Sequence, residues 1–160
     1  MFATRAAEVL IEGPTRTGKT RALLEKAHAV AMRYPGSRIL LVRKTRASLS
    51  ESVLQTYEDH ILAGCTWLGQ AKRTHRDAYY YPNGSIVVPG GMDHTDKIMS
   101  TEWDRIFAFE WTEATENDHE KCLTRLSGGA TPFRQMMVDC NPSAPAHWQT
   151  RRADRAQMQR

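Results

Sequence analysis

The feature that most constrains this chain is a glycine-rich loop near its N-terminus. A short apolar run, Val9-Leu10-Ile11, leads into Gly13-Pro14-Thr15-Arg16-Thr17-Gly18-Lys19-Thr20, which fits the phosphate-binding pattern G-x-x-x-x-G-K-[ST]. The glycines let successive backbone N–H groups turn into one cavity, and the following helix presents its positive dipole end to the same anion. A chance glycine turn would lack the flanking strand and helix, so the sequence predicts a unit that binds a nucleoside triphosphate.

Individual positions of this loop have separate predicted roles. Lys19 is expected to reach the β- and γ-phosphates, and the Thr20 hydroxyl is expected to take one Mg²⁺ position. Arg16 can point only toward phosphate or solvent, and we interpret it as a phosphate contact. ATP and Mg²⁺ are therefore the predicted ligands. The predicted nucleotide-binding residues are Gly13, Pro14, Thr15, Arg16, Thr17, Gly18, Lys19 and Thr20.

Length and composition favour one globular domain. The chain has 160 residues, of which 41% are hydrophobic and 25% are charged, and its formal net charge is +4. It contains no run of about 18 apolar residues, so we expect an intracellular protein without membrane contact. Three scattered cysteines without zinc-type spacing indicate reduced thiols. Basic clusters at 33–46 and 151–160 suit a polyanion, nucleic acid first, although a solvated face would look the same.

The order of predicted elements indicates an α/β fold with a mostly parallel central sheet flanked by helices, because apolar strand runs alternate with helical patterns. A β-hairpin insertion is predicted near 76–89, around the Asn83-Gly84 turn, with its tyrosines packing across the strands rather than contacting bases. Elsewhere, helices are predicted at 18–33, 45–62, from Thr115 to the Gly128-Gly129 pair, and from about 145, and strands at 38–43, 105–109 and 135–140.

Polar residues that follow two of the predicted strands complete the candidate site. Glu110 comes directly after the apolar run 106–109, where a carboxylate can orient the water that attacks the γ-phosphate. Glu113 competes for that role, one step further into the loop. P-loop ATPases usually place an Asp before this Glu to hold Mg²⁺, and here Phe109 occupies that position. Mg²⁺ is then held either by Thr20 with phosphates and water, or by Glu110 in a double role, directly or through water, and reduced hydrolysis stays open.

Asn141 follows the last predicted strand. It could sense the γ-phosphate, while an ordinary Asn-Pro turn is the simpler interpretation.

In this order the motifs resemble the N-terminal ATPase domain of the large terminase subunit of tailed bacteriophages. The likeness is carried by GPTRTGKT (13–20), by the basic-then-Ser stretch 38–56, by 83–115 with its E-x-x-E, and by VDCNPSAPAHW (138–148). The resemblance implies a P-loop NTPase fold of the ASCE type. It also implies Lys19 and Thr20 for phosphate and Mg²⁺, Glu110 as catalytic glutamate, Asn141 as the residue coupling nucleotide state to DNA movement, and Arg16 as a Walker-loop arginine.

The same resemblance implies partners and a setting. Members of that family package double-stranded DNA as a homo-oligomeric ring on a portal protein, so we expect these partners, a small terminase subunit and the host cytoplasm. A neighbour's arginine would complete each site; the candidates are Arg43, Arg46, Arg105, Arg125 and Arg134. The family's C-terminal nuclease domain has no counterpart in residues 1–160, so the chain is predicted to be one ATPase domain without nuclease activity.

Two other functions stay open from the sequence. A small P-loop kinase would fit the length, although no Arg-rich lid stands out in the middle of the chain. A nucleotide-binding regulatory or remnant module that does not hydrolyse ATP is suggested by Phe109 and by the missing nuclease half.

Overall fold

The structure is a computed structural model that describes residues 4–65, 78–141 and 147–155. Within these residues one sheet is formed by the strands β1 (Glu8–Glu12), β2 (Arg38–Arg43), β3 (Tyr79–Tyr80), β4 (Ile86–Gly91), β5 (Arg105–Ala108) and β6 (Gln135–Cys140). Their spatial order is β1-β6-β5-β2-β4-β3. Every neighbouring pair is parallel except β3 with β4, which confirms the predicted mostly parallel sheet.

Helices connect these strands and cover both faces of the sheet. They are α1 (Lys19–Arg33), α2 (Arg46–Ser48), α3 (Leu54–Thr56), α4 (Thr95–Met99), α5 (Glu116–Leu123) and α6 (Trp148–Asp154). In the described part of the chain, no helix has the length and apolar character needed to cross a lipid bilayer.

The apolar strand runs are explained by burial on both faces. Side chains alternate along a strand, so Ile39 and Leu41 of β2 pack with α1 in one core, while Leu40 and Val42 pack on the opposite face in a second core. All four residues have no exposed surface. Near-continuous apolar strands of this kind are typical of parallel sheets that helices cover on both sides.

The predicted second helix is present, but its turns are wider than an α-helix allows. Between α2 and α3, and after α3, the backbone forms π-helical turns at Leu49–Val53 and Tyr57–Ile61. The apolar residues Leu49, Val53 and Tyr57 are spaced four apart. In an α-helix, each of them would lie about 40° further around the helix axis than the one before it. Wider turns reduce this rotation, and all three side chains are buried.

Hydroxyl side chains give a local reason for these wide turns. Ser50, Ser52 and Thr56 each donate to the backbone carbonyl four residues earlier, at 3.0–3.1 Å. Such hydrogen bonds compete with the backbone ladder and bend helices.

The predicted hairpin is present as β3 and β4, with Tyr79 opposite Val87 and Gly84 in the turn at φ 84°. Residues 76 and 77 of the predicted range lie outside the described residues. Strand β4 also pairs in parallel with β2, so the second half of the hairpin is part of the central sheet rather than an appendage. Tyr79 and Tyr81 are buried, as the packing interpretation predicts, whereas Tyr80 is exposed and departs from it.

The end predicted for the helix after Thr115 is wrong. Thr115 caps the start as expected, since it accepts from the Asp118 N–H while the Asp118 carboxylate accepts from the Thr115 N–H. The helix ends at Leu123, well before the glycine pair. Gly128 has a different role, because a Cβ at this position would lie 2.7 Å from the Asp104 backbone nitrogen. The glycine therefore permits a close approach of two chain segments instead of ending a helix.

Candidate functional site

The glycine-rich loop connects the end of β1 to the start of α1 at the carboxyl edge of the sheet. The Gly13 N–H donates to the Cys140 carbonyl at 3.4 Å, which ties the loop to the neighbouring strand β6. Gly18 and Arg16 both have left-handed backbones, at φ 83° and 66°. That conformation is uncommon for an arginine and is concentrated in ligand-binding turns. The predicted strand–loop–helix unit is therefore present, with its loop exposed to solvent.

Lys19 lies across the mouth of this loop. Its ammonium donates to the Gly13 carbonyl at 2.7 Å and to the Pro14 carbonyl at 2.8 Å. The Thr17 hydroxyl also donates to the Pro14 carbonyl, at 2.8 Å. A cation held by backbone carbonyls at this point is pre-positioned for an anion that enters the loop.

A buried carboxylate, which the sequence analysis missed, lies beside the end of the loop. The Thr20 hydroxyl donates to Asp139 Oδ2 at 2.6 Å, and Lys19 Nζ lies 3.8 Å from Asp139 Oδ1. Asp139 is only 3% exposed. Burial raises its pKa above the ordinary value, even though the Thr20 hydrogen bond and the Lys19 charge act in the opposite direction. An acid inside an otherwise apolar strand run was the signal available in the sequence, since unpaired buried acids are rare.

Glu110 follows β5 at the same edge, as the sequence predicts. Its backbone is left-handed at φ 46°, and its side chain is about half-exposed, at 47%. The carboxylate forms an ion pair with Arg43 at the end of β2. Glu113, the competing acid, lies 4.0 Å from the same guanidinium. Glu110 is therefore positioned near the loop and is restrained by a cation from its own chain.

Asn141 reaches the loop from the end of β6. Its side-chain oxygen accepts a hydrogen bond from the Thr15 hydroxyl at 3.4 Å. His147 caps α6, and the Trp148 indole donates to the Ala114 carbonyl at 2.9 Å, so both have structural contacts. Residues 142–146 lie outside the described residues.

One cavity of about 300 Å³ brings most of the predicted site together. Except for Gly13 and Pro14, which hold Lys19 through their carbonyls, every predicted site residue lines it, and so does Asp139. The cavity is lined by the glycine-rich loop, one lysine, two arginines, four threonines, one asparagine and two carboxylates. Among the described residues there is no cluster of three or more His, Cys, Asp or Glu side chains that could hold a metal. Thr20 and Asp139 nevertheless fit a hydrated Mg²⁺, which binds through one or two protein oxygens together with phosphates and water.

Comparison with known proteins gives a family and a fold. The profile of a family described as phage terminase large subunit matches residues 6–159. The fold is similar to that of the large terminase from a thermophilic bacteriophage, with a TM-score of 0.76 and 17% identity over 96% of this chain and 39% of that one. The ADP complex of the same thermophilic-phage terminase gives a TM-score of 0.75 and 16% identity, over 96% of this chain and 39% of that one.

The complex of that terminase with ATP-gamma-S gives a TM-score of 0.69 and 15% identity, over 96% of this chain and 38% of that one. The chain thus spans well under half the length of the thermophilic-phage terminase. No curated protein matches the sequence.

Proposed function

This chain belongs to the phage terminase large subunit family, and from that premise we propose that it is a Mg²⁺-dependent ATPase, the motor domain that drives double-stranded DNA into the capsid. The observation that carries the proposal is the meeting of Lys19, Thr20, Asp139 and Glu110 around one cavity at the carboxyl edge of a parallel sheet. These are the group types that phosphoryl transfer to water requires.

The nucleotide would bind with its phosphates in the loop 13–20. The backbone N–H groups and Lys19 would hold the β- and γ-phosphates, with Arg16 at the exposed side of the loop. The ADP and ATP-gamma-S complexes of the thermophilic-phage terminase support this assignment, since that protein shares the fold.

Mg²⁺ would be held by Thr20 and by Asp139, directly or through water. When bound, the ion neutralises the charge that develops on the phosphate oxygens. Phe109 is fully buried in the core and contributes nothing polar. Asp139 of β6 would supply the missing acid in its place, because it already accepts a hydrogen bond from Thr20.

Glu110 would orient the attacking water. In the present geometry its carboxylate is paired with Arg43, so the ion pair has to open or shift before the carboxylate can accept from water. Asn141 would report the presence of the γ-phosphate through its contact with Thr15.

The partners and the cellular setting are also part of the proposal. We expect double-stranded DNA, a homo-oligomeric ring on a portal, a small terminase subunit and the host cytoplasm. Among the candidates for an arginine donated to a neighbour, Arg105 is 1% exposed and Arg43 is engaged by Glu110. Arg46, Arg125 and Arg134 remain.

The two other functions are less well supported. Family membership disfavours a small-molecule kinase. A module that only binds nucleotide was suggested because Phe109 stands where an acid is usual. That reason is weakened by Asp139, an acid that accepts a hydrogen bond from Thr20.

Steady-state ATP turnover of the purified chain, measured with Mg²⁺ and with or without duplex DNA, tests the function. We expect turnover that DNA stimulates. Glu110→Gln should lower it by about 10²-fold or more while ATP still binds, because only the water-orienting base is lost. Lys19→Ala should lose both turnover and ATP binding.

Glu113→Gln is the matched control, since Glu113 is an exposed acid near the same arginine, and it should keep most of the turnover. A parent chain that binds ATP yet turns over no faster than Glu110→Gln would contradict the ATPase proposal.

A further inference from the structure

A second cavity, of about 450 Å³, opens at the opposite edge of the sheet from the glycine-rich loop. It lies where α1 ends, where β5 begins and just before β6. Four cations line it, Arg5, Lys26, Arg33 and Arg105, together with the rings of Tyr34 and Phe133. Among the described residues, no carboxylate lines this cavity. A concave surface with several positive charges and no acid is unusual, because surface charges of both signs are normally interspersed.

Arg105 is the most unusual of these cations. It is 1% exposed, and its guanidinium lies 4.0 Å from the centre of the Phe133 ring. Its Nη1 donates to the Asp104 carbonyl at 3.2 Å, and its Nε is buried without a hydrogen-bond partner in the described part of the chain. A buried charge that is neither paired nor fully hydrogen-bonded is costly.

The nearest acid does not neutralise Arg105 by an ion pair. Both carboxylate oxygens of Asp104 are occupied by backbone N–H groups, those of Arg38, Ala130 and Thr131, at 2.8–3.2 Å. Asp104 therefore holds the chain segments around it together, and much of the charge of Arg105 remains available to a ligand.

Lys26 adds a second buried cation beneath the same cavity. It is 5% exposed, and its ammonium donates to Gln135 Oε1 at 3.0 Å. Burial lowers the pKa of Lys26 to about 8, and the charge of Arg105 acts in the same direction. Burial also lowers the pKa of Arg105 to about 10, although the charges of Tyr34 and Asp104 act in the opposite direction. Burial thus disfavours the charged form of both side chains, and an anion bound above them would favour it.

We propose that this cavity is a second anion site that binds a phosphate group. The exposed guanidinium groups of Arg5 and Arg33 would contact the phosphate oxygens, and the buried charges of Arg105 and Lys26 would add attraction from below. Phosphate fits better than a single carboxylate, because several converging cations match an anion with more than one charge and three or more acceptor oxygens. The phosphate could belong to the DNA backbone or to a small phosphate compound. The site is separate from the nucleotide loop and does not depend on ATPase activity.

Thermal unfolding in inorganic phosphate tests this site. Lys19→Ala is used as the parent, so that the nucleotide loop contributes little, and ionic strength is held constant with chloride. Because Arg105 is buried and its substitution would disturb the fold, the exposed residues are changed instead: Arg5→Gln/Arg33→Gln is introduced into the Lys19→Ala parent. At about a hundredfold excess over the Kd, phosphate should raise the unfolding midpoint of the parent by about 8 °C. The Arg5→Gln/Arg33→Gln chain should lose that rise.

The control is Arg151→Gln/Arg155→Gln, which removes the same charge from exposed positions on and just after α6. It should keep the rise and also corrects for the general stabilisation that phosphate gives to folded proteins. Equal responses of the two double variants, or no response of the parent, would overturn the proposal.

Fluorescence anisotropy with a labelled DNA duplex then separates the two sources of phosphate. Suppose the phosphate response is lost and DNA affinity falls about tenfold from that of the Lys19→Ala parent when Arg5→Gln/Arg33→Gln is introduced. The natural ligand is then the DNA backbone. If the phosphate response is lost while DNA affinity stays at that of the parent, the ligand is a small phosphate compound.

Discussion

At the scale of single residues, the proposed Mg²⁺ site depends on two positions. Phe109 stands where P-loop ATPases usually have an Asp, and Asp139 is an acid on another strand. Phe109 has no exposed surface and belongs to the core that packs against α1. Asp139 enters from a different strand and accepts the Thr20 hydrogen bond at 2.6 Å. The requirement is a carboxylate near the threonine hydroxyl, and either strand can supply it. In the proposed mechanism, Asp139 would supply the carboxylate that P-loop ATPases usually place directly before the catalytic glutamate.

Asp139→Asn is expected to remove the benefit that Mg²⁺ gives to ATP binding. The amide oxygen can still accept from Thr20, so the fold should persist, but the negative charge near the ion is lost. Affinity for ATP with Mg²⁺ should fall by about 10- to 100-fold. Affinity without Mg²⁺ should not fall, because one charge that repels the phosphates is gone. Calorimetric titration with ATP-gamma-S, with and without Mg²⁺, measures both. Glu110→Gln is the control, and an equal Mg²⁺ effect in Asp139→Asn and parent would rule out this role.

At the scale of elements, α6 is attached to the start of the sheet by one acid. Glu8 of β1 accepts from Arg152 Nε at 2.7 Å and from Arg152 Nη2 at 3.0 Å, and the His119 ring nitrogen lies 2.8 Å from the same carboxylate. Burial acts to raise the pKa of Glu8, but the hydrogen bonds and charges of His119 and Arg152 outweigh it and hold the pKa below its usual value. The contact thus joins α5, α6 and β1 in one ionic network.

Glu8→Gln should lower the free energy of unfolding by about 2–3 kcal/mol at neutral pH, because charge-assisted hydrogen bonds to a partly buried acid are lost. The folded pKa is lowered, so the stability that Glu8 supplies is present above its ordinary pKa of 4.5 and is lost as the pH falls through the lowered value. Parent and variant should therefore converge in acid. Urea unfolding at a series of pH values measures this. Glu25→Gln, at an exposed pair with Arg21, should change stability by less than about 0.5 kcal/mol. A gap between parent and Glu8→Gln that persists in acid would contradict the ionic explanation.

Elements with a strong local signal were predictable from the sequence. The loop 13–20, the apolar strand runs and the Thr115 cap each depend on neighbours within a few residues, and the structure has all of them. The wide turns after Ser48 and the early end at Leu123 were not predicted. Side-chain hydroxyls compete with the helix ladder in the first case, and in the second Gly128 serves the close contact with Asp104.

At the scale of the whole molecule, the spatial order of the strands was the information that the sequence lacked. Strand β6 lies between β1 and β5, although it is the last strand in the chain. That insertion brings Asp139 to Thr20, 119 residues away along the sequence, and leaves the ion pair of Arg43 with Glu110 one strand further along. Glu110 and Asn141 could be predicted as strand ends at one edge, but which carboxylate would touch the threonine depended on which strands are neighbours.

The open nucleotide cavity has a consequence for assembly. Glu110 and the loop are exposed, and Arg43 is engaged by Glu110, so an arginine from a neighbouring copy is expected to complete the site. Turnover per chain should then rise with protein concentration. A trace of parent chain mixed with excess Glu110→Gln chain should also turn over faster than the trace alone, because the inactive copies still donate their arginines. Steady-state turnover across both series measures this, with excess albumin as the control for surface loss. Turnover per active chain that stays constant in both series would show that each copy works alone and would remove the ring from the proposed mechanism of hydrolysis.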